Sequence, residues 1–427
     1  MKKMSNRVVI TGLGVVAPNG TGIVAFSEAI KKGISGIRYD EQLAALKFSC
    51  QIAGKPEVPE SLQQQYFEEL ELKQLNSSGI IYGVIAGMQA WADAGLPISS
   101  ETPDWDSGTI FGAGTSGVDK FREAVYKVDE LQVRRLGSTA VTQTMTSGIS
   151  AFLGGKLGLG NQVTTNSSAC TTGAESLLMA YERIKYGYAK RMLAGSTSDS
   201  GPYIWGGFDA MKVSTFKYNE HPEAGSRPMS ATASGIVPGS GAGALVLESL
   251  DSALERGATI YAEVLGGNIN SGGQRNGGSM TAPNPAAVQR CITAALQQAG
   301  VQAADIDLIN GHLTATGKDA EEIANWCTAL QRNGKNFPYI NALKSMVGHC
   351  LSASGSIELV AVALQLREGF ISPNINCEDL HPDIHALVDR ERIPEQLLYK
   401  DINLVAKASF GFGDVNACII LQKYLQP

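Results

Sequence analysis

The strongest constraint on the fold is an alternation of element types along the chain. Short apolar, strand-like runs at residues 7–11, 109–112, 191–194, 242–247, 260–265, 308–310, 339–341 and 417–421 interleave with amphipathic helical stretches at 22–31, 78–94, 174–186, 285–299, 320–330 and 354–367. Strands separated by helices build sheets covered by helices, which predicts the α/β layered class. After Glu248 the pattern restarts, with a helical stretch at 250–256 and then a new strand. A boundary near residue 255 follows, dividing the chain into 1–255 and 256–427. No Ser/Pro-rich linker separates the two, so halves packed face to face are expected rather than two beads on a string.

A chain of 427 residues has ample length for a large core. Hydrophobic residues make up 44% and charged residues 18%, and the 48 glycines follow no period, which excludes disorder, collagen and a coiled coil. The seven cysteines, at 50, 170, 291, 327, 350, 377 and 418, include no C-x-x-C pair, so neither a disulfide framework nor a metal site is expected. Residues 1–7 lead into an apolar strand without a secretory h-region, and no apolar stretch is long enough to span a bilayer, so the expectation is a cytoplasmic protein. The net charge of −6 argues against a nucleic-acid partner, which would demand a dominant basic surface.

Cys170 is the first candidate for chemistry. It sits in Asn166-Ser167-Ser168-Ala169-Cys170-Thr171-Thr172-Gly173, between a strand-like run and a helix whose apolar positions Ala174, Leu177, Leu178, Tyr181 and Ile184 recur at helical spacing. Unpaired N–H groups and the positive end of the helix dipole favour a thiolate there, and any oxyanion forming beside it. A competing motif, Gly12-x-Gly14-x-x-Ala17, follows a strand and superficially matches a dinucleotide fingerprint. Pro18-Asn19-Gly20 is a turn signal where that fingerprint needs a helix, so nucleotide binding is set aside.

Two of the five histidines also fall in strand-to-helix loops: His312 in Asn310-Gly311-His312-Leu313-Thr314-Ala315-Thr316-Gly317, and His349 in Lys344-Ser345-Met346-Val347-Gly348-His349. Loops at strand ends in α/β folds converge on one crevice. His221, His381 and His385 lie in polar, proline-bearing stretches that suit the surface.

These motifs resemble, in order, those of the β-ketoacyl-acyl-carrier-protein synthases, condensing enzymes of the thiolase superfamily. They are Cys170 in Ser-Ala-Cys-Thr-Thr-Gly, His312 in Asn-Gly-His-x-Thr-x-Thr, Lys344 to His349 as Lys-Ser-x-x-Gly-His, and Ser409-Phe410-Gly411-Phe412-Gly413-x-x-Asn416. The likeness runs from the first strand to the last. It implies a thiolase-like, five-layered α-β-α-β-α fold of two similar halves, usually dimeric. It further implies decarboxylative condensation of an acyl-enzyme thioester with malonyl-acyl carrier protein, in fatty-acid or specialised polyketide or aryl-polyene biosynthesis. No cofactor is implied.

By the same resemblance Cys170 is the nucleophile, and the backbone N–H groups of Cys170 and Phe412 hold the oxyanion. His312 and His349 would donate to the enolate formed on decarboxylation. Lys344 would lie near this pair and tune its electrostatics, and Glu321 and Glu358 would support the loops. Phe412 would gate the acyl tunnel, and Thr281 would touch the pantetheine arm. Arg134, Arg135 and Lys212, with Lys73 as a weaker match, align with basic positions that dock the acidic carrier.

Several positions depart from the family pattern. Leu313 replaces a glycine after His312, and the loop that follows is shorter. The usual Gly-Gly-Thr-Asn reads Gly413-Asp414-Val415-Asn416, and Ser240 replaces an acidic residue. Two other roles stay open at this point: a non-catalytic, chain-length-determining partner in a synthase heterodimer, and another thiolase-superfamily acyl transferase in which a second cysteine, such as Cys350, serves as base.

Overall fold

The computed structural model describes residues 5–425; Met1 to Met4, at the start of the N-terminal stretch considered above, lie outside them. Ten strands carry the architecture: β1 (Val8–Ala17), β2 (Ser107–Ala113), β3 (Val163–Thr164), β4 (Arg191–Ser198), β5 (Gly241–Ser249), β6 (Ala262–Ser271), β7 (Leu308–Asn310), β8 (Tyr339–Asn341), β9 (Leu404–Gly411) and β10 (Val415–Gln422). They run in the order β8-β7-β9-β10-β6-β1-β5-β4-β2-β3, and the two-residue strand Gly20–Thr21 folds back on β1. The seam between the two sides is short, pairing Val8 to Ile10 with Ala262 to Val264.

Outward from that seam the two sides repeat one pattern. On one side β1 pairs with β5 and β5 with β4 antiparallel, then β4 with β2 and β2 with β3 parallel. On the other, β6 pairs with β10 and β10 with β9 antiparallel, then β9 with β7 and β7 with β8 parallel.

Five helices matter for the site: α1 (Ser78–Asp93), α2 (Thr172–Lys185), α3 (Pro285–Ala299), α4 (Asp319–Leu330) and α5 (Ser354–Glu368). Strand alternation sends side chains to opposite faces, and the buried clusters divide accordingly. The central cluster joins α2 and α5 to one face of each side of the sheet, through Leu245, Leu247, Val405 and Ile419. The opposite faces pack outward, Val246 and Leu193 against α1, and Ala406 and Ile420 against α3 and α4. Helix, sheet, helix, sheet and helix therefore stack as five layers. From Ser354 to Leu366 every residue of α5 is buried, as expected of a helix sandwiched between two sheets.

The glycines of the set-aside dinucleotide motif have a packing role. A Cβ at Gly12 would lie 2.2 Å from the Ala90 carbonyl oxygen, and one at Gly14 only 1.9 Å from that of Ala86. Those glycines let α1 lie directly on β1.

Candidate active site

Loops leaving β3, β7, β8 and β9 bring the chemistry-bearing residues together. After β3 the chain forms a 3₁₀ turn at Ala169–Thr171, and α2 begins at Thr172, two residues earlier than the apolar spacing implied. Short polar side chains fix this turn. Asn166 Nδ2 donates to the Thr172 carbonyl at 3.0 Å, Thr171 Oγ1 to the Ser168 carbonyl at 2.6 Å, and the Ser168 N–H to Thr172 Oγ1 at 2.9 Å. Ala169 takes a positive φ of 50°, which re-aims the chain before the helix.

Close approach of the two inner helices sets the depth of the site. A Cβ at Gly173 would lie 2.4 Å from the Ser356 nitrogen, and one at Gly355 would lie 2.9 Å from the Ala174 nitrogen. Only glycine permits both contacts, so the start of α2 is pressed against the start of α5.

Cys170 is buried, which opposes the thiolate that the helix end favours. Burial pushes the thiol pKa up; the Lys344 charge and the backbone N–H groups of Phe412 and Cys170 pull it back, while Glu358 opposes them. Those two N–H groups bear on the sulfur itself, the pair expected to hold an oxyanion.

The sulfur and one ring nitrogen from each of His312 and His349 all lie within 4.8 Å of one another. The two imidazoles meet edge to face, with centroids 5.5 Å apart and planes at 87°. His349 Nδ1 accepts the Leu351 N–H at 3.0 Å and lies 3.2 Å from Ser354 Oγ. A backbone N–H can only donate, so Nδ1 carries no proton and the neutral ring bears its hydrogen on Nε2. Burial first, then Lys344, lowers the His349 pKa to about 3. The same causes hold His312 well below the usual histidine value, and its Nδ1 is buried without a hydrogen-bond partner among the described residues.

Two carboxylates shape the His312 loop, and neither is Glu321. Glu322 accepts the N–H groups of His312 and Leu313 at 2.7 and 2.8 Å. Asp319 accepts those of Thr314 and Ala315, and of Met229 across the layer. Leu313 and Ala315 both have positive φ, and these acceptors fix the strained backbone. Glu321 instead binds Lys318 at 2.7 Å near the surface, because one step along α4 rotates it off the loop-facing side. Burial raises the Glu322 carboxyl to about 7 and that of Asp319 to about 6.

Beneath the imidazoles lies a buried ion cluster. Lys344 pairs with Glu358 Oε1, a partnership not drawn from the sequence, and Glu358 Oε2 faces Lys407 at 2.7 Å. Lys407 was not singled out from the sequence.

A cavity of about 230 Å³ opens on the two imidazoles, walled by His312, His349, Phe410, Phe412, Thr281 and Thr314. Phe412 is half-buried on the turn between β9 and β10 and packs on Phe208, with centroids 6.0 Å apart. Asp414, on the same turn, has φ +61°, and its carboxylate accepts the N–H groups of Asn284 at 2.7 Å and Gln274 at 2.9 Å. The departure from the glycine pattern thus fastens the turn to the 272–284 loop.

Arg134 and Arg135 form an exposed 3₁₀ turn, Lys212 adjoins the cavity residue Val213, and Lys73 pairs with Glu69 at 2.6 Å. Lys73 and Arg135 also line a groove with Lys120 and Lys127, whose one carboxylate is Glu123. Cys350 is fully buried with its sulfur toward the Val347 carbonyl, and burial pushes its thiol far up, which does not suit a second-cysteine base. Among the described residues no helix is long and apolar enough to cross a membrane.

Comparison with known proteins places the chain in context. The family model described as "Beta-ketoacyl synthase, N-terminal domain" matches residues 5–253, and the corresponding C-terminal domain model matches residues 261–378. The 3-oxoacyl-[acyl-carrier-protein] synthase 1 of Escherichia coli (strain K12) is 32% identical, covering 98% of this chain and 99% of its own. Synthase 2 of Vibrio harveyi is 31% identical over 98% of each. Among solved structures, a β-ketoacyl synthase from Burkholderia phymatum superimposes with a TM-score of 0.89 at 28% identity, covering 98% of this chain and all of that one. A type II polyketide ketosynthase in complex with its acyl-carrier protein, AntDE:AntF, gives 0.86 at 27% identity, covering 98% and 100%.

Proposed function

Because this chain belongs to the β-ketoacyl synthase family, we propose that Cys170, His312 and His349 carry out its condensing chemistry as one unit. The protein is a 3-oxoacyl-[acyl-carrier-protein] synthase, an acyltransferase of five-layered thiolase-like fold. One observation carries the assignment of roles: the thiol and the two ring nitrogens lie within 4.8 Å of one another.

In the first half-reaction the Cys170 thiolate attacks the carbonyl carbon of an acyl thioester. The oxyanion sits on the N–H groups of Cys170 and Phe412 as the intermediate forms. It collapses as the carbon–sulfur bond to the carrier breaks, leaving the acyl group on Cys170, and the departing carrier thiolate takes up the proton that the Cys170 thiol gave up. In the second, the carbon–carboxylate bond of a malonyl thioester breaks, carbon dioxide leaves, and the electron pair moves onto the thioester oxygen as an enolate. His349 Nε2–H and an N–H of His312 donate to that oxygen. The enolate carbon then attacks the acyl carbonyl, and the bond to Cys170 breaks to return the thiolate. Lys344, held by Glu358, lowers the cost of negative charge at the sulfur, and Phe412 gates the chamber. None of these steps needs a cofactor.

The acidic carrier docks by Arg134, Arg135 and Lys212, with Lys73 on the flank, and Thr281 meets its pantetheine arm. The complete thiol and imidazole set supports a catalytic subunit rather than a chain-length partner; it works as a homodimer or beside such a partner. Halves at 1–255 and 256–427 and a cytoplasmic location complete the proposal. The test is incubation with a panel of acyl-carrier thioesters, then malonyl-carrier, followed by intact mass. A mass gain on Cys170 and a β-keto product two carbons longer are expected; capture on any other residue overturns the assignment.

A further inference from the structure

Lys407 has no part in the scheme above, yet it is fully buried beside the site. On β9 it shares the inward face with Val405 and Ser409, where an apolar residue would serve packing alone. Its Nζ lies 2.7 Å from Glu358 Oε2 and donates to the Ala408 carbonyl at 2.5 Å and to Ser409 Oγ at 2.6 Å. The other oxygen of Glu358 is taken by Lys344. One buried carboxylate therefore faces two buried amino groups: burial draws the Lys407 pKa down while Glu358 works to hold its proton, and with both lysines protonated a positive charge is left over. An interior tolerates surplus charge only against a large desolvation penalty. A site that retains it is expected to use it.

We propose that Lys407 is a positioning residue for the condensation: by sharing Glu358 with Lys344 it keeps an uncancelled positive charge beside the imidazole pair and so holds His312 and His349 neutral. This rests on the roles given to the two histidines above.

The surroundings of the pair support it. His349 Nδ1 accepts the Leu351 N–H, so a proton there would set two N–H groups against each other and turn the ring away from its productive orientation. Besides Lys344 and Lys407, the ionisable groups around the pair among the described residues are Glu358 on α5, Glu322 and Asp319 on α4, the Lys318–Glu321 ion pair at the cavity wall, and the thiols of Cys170 and Cys350. Both oxygens of Glu322 and of Asp319 accept backbone N–H groups, and both of Glu358 face lysines. Among the described residues none of these three carboxylates has an oxygen left free to hold a proton on either imidazole. Lys407 also lowers the proton affinity of both rings, after burial, Lys344 and, at His312, the neighbouring His349. Removing its charge frees Glu358 Oε2 to stabilise an imidazolium.

The experiment compares malonyl-carrier decarboxylation from pH 8 to pH 5.5 in wild type, Lys407→Gln and Lys407→Arg, with histidine ¹⁵N spectra of the same proteins. Lys407→Gln is expected to lose activity relative to wild type about tenfold more at pH 5.5 than at pH 8, the loss produced when an imidazole returns to the ordinary histidine value of about 6.5, one unit above the lower pH. Lys407→Arg should hold a constant ratio. A constant ratio in Lys407→Gln overturns the proposal, and so does a pH-dependent ratio with no imidazolium in its ¹⁵N spectrum, because Glu322 and Asp319 titrate in the same range. Should Lys407→Gln not fold, Lys407→Met is read in the same way. An imidazolium at His312 or His349 in the wild type at pH 5.5 also overturns it. Failure of the histidine roles themselves is separate and would show as unchanged decarboxylation in His349→Ala.

Discussion

The two sides of the molecule use one topology for two kinds of chemistry. Beyond β3, the edge strand of the first side, the chain passes through a 3₁₀ turn into the buried helix α2; beyond β8, its counterpart, it passes through another into α5. The two helices start against each other, glycine to backbone. Ahead of α2 stands a thiol served by backbone N–H groups; ahead of α5 stands an imidazole served by lysines. The first entry suits capture of an acyl group, because backbone donors meet an oxyanion without any charge to be neutralised. The second suits decarboxylation, because a neutral imidazole beside positive charge donates to an enolate without giving up its proton. A repeated scaffold thus places complementary groups face to face, and their separation is fixed by helix packing rather than by loops.

The sharpest way to break the comparison is Cys170→Ala. Acyl capture should vanish by intact mass, while malonyl decarboxylation remains measurable; a persistent mass gain would contradict the assignment. The mirror experiment is His349→Ala or His312→Ala. Decarboxylation should fall on the order of 10²–10³-fold, the typical effect of deleting one oxyanion donor, with capture changed only a few-fold.

Glu322→Gln probes the His312 loop. The carboxamide keeps one acceptor of two, so a loss of about 1–3 kcal/mol is expected in a denaturant titration. The pH dependence has a definite sign. The Glu322 carboxyl titrates at about 7 in the folded chain, raised from 4.5. The folded state therefore binds the proton more tightly, and that contribution is fully present below pH 4.5 and lost as pH rises through 7. Wild type should gain stability over Glu322→Gln as pH falls from 8 toward 5; a flat difference would remove Glu322 from this role.

Asp414→Gly tests what fastens the Phe412 turn. Loss of two hydrogen bonds to the 272–284 loop should cost about 1–3 kcal/mol and speed proteolysis within that loop, with Cys170 capture retained. The smallest effect is expected from reversing charge at Arg134 and Arg135: the carrier KM rises a few-fold at low salt with kcat unchanged. An unchanged salt dependence would take the turn out of docking.

Much of this was legible in the sequence because it is local. β7 and β8 fall where the apolar runs at 308–310 and 339–341 placed them, and the thiol stands at the entry to a helix as its flanking polarity indicated. Glu322 was available to the same reasoning. Asp319 and Glu322 are spaced i, i+3 and so share one face of α4, a pattern that Glu321 does not complete. Lys407 is harder to find, since one lysine within Leu404-Val405-Ala406-Lys407-Ala408 declares neither its burial nor its partner, and Glu358 is distant in sequence. Asp414 stood out as a departure, but its purpose depends on a loop some 130 residues away. What sequence patterns miss is the pairing of charges and backbone donors across layers.

The most direct test of the division between the two helix entries is a single-turnover experiment on His349→Ala, first acylated and then given malonyl-carrier, with Cys170 mass and carbon dioxide followed together. The account predicts normal acylation, little carbon dioxide and an acyl group that stays on Cys170. Carbon dioxide release at the wild-type rate would contradict it.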